Sequence, residues 1–132
     1  MVVRESARRA LRVVVADDDA AFRRLVTGLL GPVTNVEVVG EAADGNEALH
    51  IVHATDADLV LLDIDMPHLD GLSAAERIRT TLSRVHIVLH GGHGNPQAHS
   101  RAARLGLTIR DKAQLHDTVA VIACVALAAD PE

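Results

Sequence analysis

The sequence predicts one α/β domain: a parallel five-stranded sheet, doubly wound, with helices on both faces. Three observations predict it. Short apolar runs of strand length alternate five times with segments of helical period, the signature of strand–helix–strand crossovers. Those runs are little broken by polar residues, as strands buried on both faces are. Finally, 48% of the 132 residues are apolar, supplied by Val, Leu, Ala and Ile with a single Phe and neither Trp nor Tyr, so the core is made of small branched side chains. That length fits one core.

The elements follow in order. Leu11 to Ala16 is apolar except for Arg12 and reads as a buried strand. Residues 19–30 place Phe22, Leu25, Val26 and Leu29 at helical spacing, and Gly31-Pro32 ends that helix. Val36 to Val39 is a second strand ending near Glu41. Asp44 caps a helix whose face is Ala48, Leu49, Ile51 and Val52, running to about Ala54. Leu59 to Leu62 has no polar interruption and is expected at the centre of the sheet. After the Met66-Pro67 turn and Asp70-Gly71, a helix is expected over 72–81, then a strand from Val85 to Leu89. His90 to Pro96 reads as loop, followed by a helix through Arg104, a break at Gly106, a short strand from Leu107 to Arg110 and a last helix over 114–128. Residues 1–10 are expected to form an arm and 11–130 the domain, joined through right-handed crossovers.

Composition excludes several classes of function. A net charge of −5 disfavours attraction to nucleic-acid backbones or anionic lipid, and the lack of aromatics removes base-stacking surfaces. Arg4, Arg8, Arg9 and Arg12 crowd the N-terminus and read as a solvated arm, so no direct nucleic-acid contact and no membrane contact is expected. No run approaches ~20 apolar residues, and the N-terminus lacks the apolar core of a secretory signal. The single cysteine, Cys124, forms no disulfide and is expected as a small buried hydrophobe, consistent with a cytoplasmic location.

Carboxylates gather where strands end. The first strand runs into Asp17-Asp18-Asp19 and the third into Asp63, while Lys112, the sole lysine among thirteen basic residues, follows the fifth. In a doubly wound sheet ligands bind outside the carboxyl ends of the strands, where the winding reverses. Such acids suit Mg²⁺, which takes carboxylates, water and phosphate oxygens. A carboxylate can also accept a phosphoryl group as an acyl phosphate, with metal and ammonium neutralising the transferring oxygens. Asp19 and Asp44 read as helix caps; the Asp17-Asp18 pair and Asp63 do not.

The stretches Val-Val-Val-Ala-Asp-Asp (13–18), Val-Val-Gly-Glu-Ala-Ala-Asp-Gly-Asn-Glu-Ala-Leu (38–49) and Asp-Leu-Val-Leu-Leu-Asp-Ile-Asp-Met-Pro-His-Leu-Asp-Gly (58–71) together resemble the receiver domain of two-component response regulators, over about residues 11–128. The second is most similar to receivers that precede a helix-turn-helix DNA-binding domain. The resemblance implies a flavodoxin-like sheet of strand order 2-1-3-4-5. It implies Asp63 as phosphoacceptor, Asp17 and Asp18 as the acidic pair holding Mg²⁺, and Asp65 as donor of a backbone carbonyl to that metal. Pro67 and Gly71 would shape the loop beneath, and Lys112 would pair with the phosphoryl oxygens. The implied partners are a sensor histidine kinase and a downstream protein or DNA-binding output domain, with no turnover beyond the domain's own phosphoryl transfer and autodephosphorylation.

Three departures bear on the switch. His90 stands where the family usually has Ser or Thr, whose hydroxyl meets the phosphoryl group; imidazole can donate as well but is larger and can carry charge. Ile109-Arg110 offers no aromatic on the fifth strand, so the aromatic rotamer switch is missing. Gly106 to Lys112 is one residue shorter than the usual spacing, so the loop must tighten. Asp65 and Gly92 occupy positions that tune phosphoryl lifetime in the family.

His86, His90, His93 and His99 invite a zinc reading, but no thiol or paired carboxylate completes a ligand set, and solvated loop histidines are expected. The Gly91-Gly92-His93-Gly94 run lacks the ending and placement of a phosphate-cradling loop and is expected to be mobile. The last helix carries Val119, Val121, Ile122, Cys124, Val125 and Leu127, so a homodimer contact is expected through 107–128.

The chain stops at Glu132 without room for an output domain, which leaves a stand-alone relay and the receiver part of a longer transcription regulator both open. A phosphorylation-independent interaction module is the second reading, motivated by His90. A haloacid-dehalogenase-like phosphatase is a remote third, since Asp63-Ile64-Asp65 matches its nucleophile motif but lies on the third strand, not the first.

Overall fold

The computed structural model describes residues 10–91 and 95–128. Five strands, β1 (Leu11–Ala16), β2 (Val36–Ala42), β3 (Leu59–Asp63), β4 (His86–Gly91) and β5 (Ile109–Asp111), form one parallel sheet in the order β2-β1-β3-β4-β5. Five helices alternate with them: α1 (Ala20–Leu30), α2 (Gly45–Thr55), α3 (Gly71–Thr81), α4 (Pro96–Arg104) and α5 (Leu115–Ala128). The uninterrupted run on β3 is buried at every position, as expected of a central strand.

Alternation along the strands sends side chains to two cores. Val14, Ala16, Val60, Leu62, Ile87 and Leu89 pack under α2, α3 and α4, while Leu11, Val13, Val15, Leu59 and Leu61 pack under α1 and α5. Four of the five helix starts are fixed by a side chain accepting from free backbone N–H groups. Asp19 accepts from Ala21 and Phe22, Asp44 from Glu47, Asp70 from Ser73, and Asn95 from Ala98. Glu47 Oε1 also accepts from the N–H of Ala43, the residue before the Asp44 cap, at 2.7 Å, which ties the incoming chain to the first turn.

Several expectations need correction. His90 and Gly91 belong to β4, not to a loop, because their backbones continue the ladder with Asp63 and with Arg110 and Asp111. His90 is 1% exposed, so it is no solvated histidine; His86 and His99 are exposed, and His93, with its neighbouring glycines, lies outside the described residues. The fifth strand covers Ile109–Asp111 and not Leu107 to Arg110. Arg12 is not part of a solvated arm: its guanidinium donates to the Thr55 carbonyl at 2.8 and 3.1 Å, closing the C-terminal end of α2. The remainder of the expected arm, residues 1–9, lies outside the described residues.

Cys124 is exposed, against the expectation of burial. Beyond Thr118 the helix is apolar all round, but only Leu115, Thr118, Ile122 and Ala126, at three- and four-residue spacing, are buried, with Val119 and Val125 packed partly against the same core. Cys124 and Leu127, the latter 65% exposed, fall on the other side. Among the described residues, no helix is long and apolar enough to cross a membrane.

Candidate functional site

The winding reverses between β1 and β3, which run side by side while their following helices cover opposite faces. Asp17 leaves β1 at that crevice, Asp63 ends β3, His90 sits opposite Asp63 on β4, and Lys112 follows β5. Four side chains far apart in sequence thus share one pocket. Carboxylate oxygens of Asp17, Asp18 and Asp63 lie within 4.8 Å of one another. Lys112 Nζ stands 2.7 Å from Asp17 Oδ2 and donates to Asp63 Oδ2 at 3.2 Å.

Local structure fixes each group. Asp17 Oδ1 accepts from the Asp19 N–H at 2.8 Å, and the Asp17 carbonyl accepts from Arg23 Nη1 at 2.6 Å. Arg23 in turn donates to Glu41 at 3.1 Å, tying the β1–α1 turn to the end of β2. Asp63 Oδ1 accepts from the Asp65 N–H at 3.1 Å. Gly106, at φ +73°, turns the chain before β5, and Lys112 opens a single 3₁₀ turn, Lys112–Gln114, capped by Asp111.

Gly71 begins α3 with its Cα against the main chain of Asp63: a Cβ there would collide with the Asp63 carbonyl and lie 2.9 Å from the Ile64 Cα. Because backbone and not a flexible side chain is in the way, Gly71→Ala is expected to cost about 2–4 kcal/mol and to displace the Asp63 carboxylate. Urea unfolding of the variant measures the first effect, and a parallel loss of divalent-ion affinity the second.

Burial dominates the electrostatics. Asp17 is fully buried, Asp63 is 2% exposed, and Asp18 faces solvent. Desolvation, helped by the Asp17 charge, pushes the Asp63 carboxyl up to about 6 even though the Asp65 N–H and Lys112 favour its anion. Desolvation also works against the Lys112 ammonium, but its hydrogen bond and charge interactions with Asp17 and Asp63 outweigh that and raise its pKa. For His90, burial and the Lys112 charge overcome the attraction of Asp17 and a backbone hydrogen bond with Ala16 and bring the imidazole down to about 4. The ring is therefore neutral at pH 7, not cationic. Neither of its nitrogens has a well-directed hydrogen-bond partner; Nε2 lies 3.5 Å from Asp17 Oδ2.

The donors suit a hard divalent cation: they are all carboxylates, close enough to share one ion, and buried Asp17 Oδ2 has no well-directed hydrogen bond despite the nearby ammonium. No histidine joins this group, which is the one metal-capable cluster among the described residues.

The sequence matches the family described as "Response regulator receiver domain" over residues 13–109, most of the chain, from within β1 to the start of β5. The chain belongs to the response regulator receiver family. This receiver is 36% identical over 118 residues to the probable transcriptional regulatory protein NarL of Mycobacterium tuberculosis, a match covering 86% of this chain and 54% of that protein. It is 42% identical over 79 residues to a protein-glutamate methylesterase/protein-glutamine glutaminase of Nocardioides, covering 60% of this chain but 22% of that one. Among solved structures, the signal receiver domain of the Mycobacterium tuberculosis NarL superposes with a TM-score of 0.76 at 32% identity, covering 87% of this chain and 97% of that one. The receiver thus spans about half of one curated relative and about a fifth of the other.

One member of the site is not evident from its place in the sequence. Phe22, on the first turn of α1, lies with its ring centroid 4.7 Å from Lys112 Nζ and 5.3 Å from the His90 ring centroid, tilted by 47°. It was legible as a core residue of α1; that the first turn after an acidic pair faces back toward that pair is what could have marked it.

Proposed function

We propose that this receiver accepts a phosphoryl group on Asp63 from a sensor histidine kinase and relays the signal through a changed protein-interaction surface. The observation that carries this reading is the approach of Lys112 Nζ to the Asp17 and Asp63 carboxylates at 2.7 and 3.2 Å inside a cluster of three acids. An Asp63 oxygen forms the new bond to phosphorus as the bond to the donor's imidazole nitrogen breaks, and the departing imidazole keeps the electron pair. Lys112 neutralises charge on the transferring oxygens. Asp17, Asp18, Asp63 and the Asp65 carbonyl would hold Mg²⁺, which supplies Lewis-acid charge neutralisation when bound. His90, neutral and buried with no well-directed hydrogen bond at either nitrogen, takes the place of the usual hydroxyl as hydrogen-bond donor to a phosphoryl oxygen.

The downstream partner is a protein or a DNA-binding output domain, and the exposed apolar side of α5, within 107–128, is the proposed homodimer contact. The compartment consistent with this role is the cytoplasm. Phosphoryl uptake from acetyl phosphate, followed by intact mass with Mg²⁺ and after chelation with EDTA, tests the reading. Uptake should require the metal; a chain that stays unmodified under both conditions is an interaction module that lost the switch.

Proton competition sets a further expectation. A divalent cation needs the Asp63 anion, and that carboxyl titrates near 6. Apparent Mg²⁺ affinity should be level above about pH 7 and fall up to about tenfold per pH unit below 6. Titration calorimetry at several pH values measures it, and affinity unchanged down to pH 5 would contradict the role given to Asp63.

A further inference from the structure

We propose that Phe22 is a positioning residue for phosphoryl transfer: its ring holds the Lys112 ammonium over Asp17 and Asp63 and walls in His90. The inference rests on the reading of Asp63 as phosphoacceptor. Phe22 is the sole aromatic residue of the chain, with no Trp or Tyr to share the role, and it stands beside the sole lysine. Its backbone is fixed at the site, since Asp17 accepts from the Asp19 N–H and Asp19 accepts from the Phe22 N–H.

A lysine stem has four rotatable bonds, and Lys112 is 26% exposed, so two carboxylates alone leave its ammonium room to swing toward water. The ring face 4.7 Å away lies within cation–π range. A π face attracts the ammonium without taking a directed N–H bond, so the donors stay available for incoming phosphoryl oxygens. A water or a third carboxylate at that place would consume them. The same ring packs 5.3 Å from His90, whose nitrogens make no well-directed hydrogen bond and have the Ala16 backbone beside them, so packing against Phe22 helps to orient the imidazole. The ammonium and the ring that replaces the family's hydroxyl are both indexed to one side chain on α1. When the ammonium turns to a phosphoryl group, the first turn of α1 feels it.

Two variants separate positioning from packing. Phe22→Leu keeps an apolar side chain and loses the π face; Phe22→Trp keeps the π face. Uptake from acetyl phosphate with Mg²⁺ should be about fivefold slower in Phe22→Leu at saturating donor, with the half-saturating donor concentration unchanged, and Phe22→Trp should recover to within about twofold. Because the chain has one lysine, ¹⁵N relaxation of its ammonium gives a single resolved signal. Its order should fall in Phe22→Leu and return in Phe22→Trp, with or without phosphorylation. A Phe22→Leu protein that is folded, phosphorylates at the wild-type rate and keeps an ordered ammonium overturns the proposal, as do equal losses in both variants. If the wild-type chain takes up no phosphoryl group, the reading of Asp63 fails, and the ammonium order alone decides the role of Phe22.

Discussion

Asp63→Asn is expected to lose phosphoryl uptake entirely and, at the same time, to become more stable than the parent. The first effect follows because the amide is no nucleophile toward phosphorus at neutral pH, so labelling should drop by at least about a thousandfold. The second follows from burial. A carboxyl raised from 3.8 to about 6 is an anion that the fold disfavours at pH 7 by about 2–3 kcal/mol relative to the unfolded chain. The amide removes that burden, and because the raised pKa already includes the opposing pull of Lys112, nothing further is subtracted for the lost bond. The gain of about 2–3 kcal/mol corresponds to a rise in Tm of about 6–12 °C. The pH dependence has a definite sign. Because the folded pKa lies above the unfolded one, the folded state holds the extra proton between about pH 4 and 6. The parent's stability contribution from Asp63 is therefore greatest below about 4, declines as pH rises through 6 and is flat above. The advantage of Asp63→Asn in urea unfolding should grow over that interval and then level off; an advantage independent of pH would contradict the desolvation argument.

Lys112→Met should act in the opposite direction. Methionine replaces most of the stem and none of the charge, leaving the Asp17 and Asp63 carboxylates, 0% and 2% exposed, facing each other without a cation. Removing one partner of a buried pair costs about 3–5 kcal/mol, and the partial exposure of Lys112 places the loss at about 2–3 kcal/mol without divalent metal. Mg²⁺ should restore stability to this variant by more than it stabilises the parent, since the ion supplies the missing positive charge by mass action. Phosphoryl uptake should remain slow by about a hundredfold even with the metal, because the ammonium that meets the transferring oxygens is gone. Thermal unfolding with and without Mg²⁺ checks the first claim. Combined with Asp63→Asn, the destabilisation should shrink, because one of the two stranded carboxylates has gone.

Much of the fold was legible because strand and helix periods are different and the caps are explicit. The run Leu59 to Leu62 could only be a buried strand, and Asp19 and Asp44 could be read as caps from their place before apolar helical faces. The end of β4 was not legible, since His90 and Gly91 look like loop residues locally; their strand conformation comes from the ladder with β3 and β5, a long-range pairing that no local window contains. Cys124 failed for a related reason. An all-apolar helix names no buried side, and only the sheet's position selected Ile122 over Cys124. The acids and the lysine were legible as a candidate site because each follows a strand. Phe22 was not, because a phenyl ring at helical spacing reads as core until its ring is seen beside an ammonium.

The most direct measurement is to locate the modified residue after acetyl phosphate treatment with Mg²⁺, by borohydride reduction of the acyl phosphate and mass spectrometry of the resulting peptides. One reduced aspartate is expected, at Asp63, absent when the metal is chelated. Reduction at Asp17 or Asp18, or a peptide spanning Asp63 that stays unreduced while the protein gains a phosphoryl group elsewhere, would contradict it.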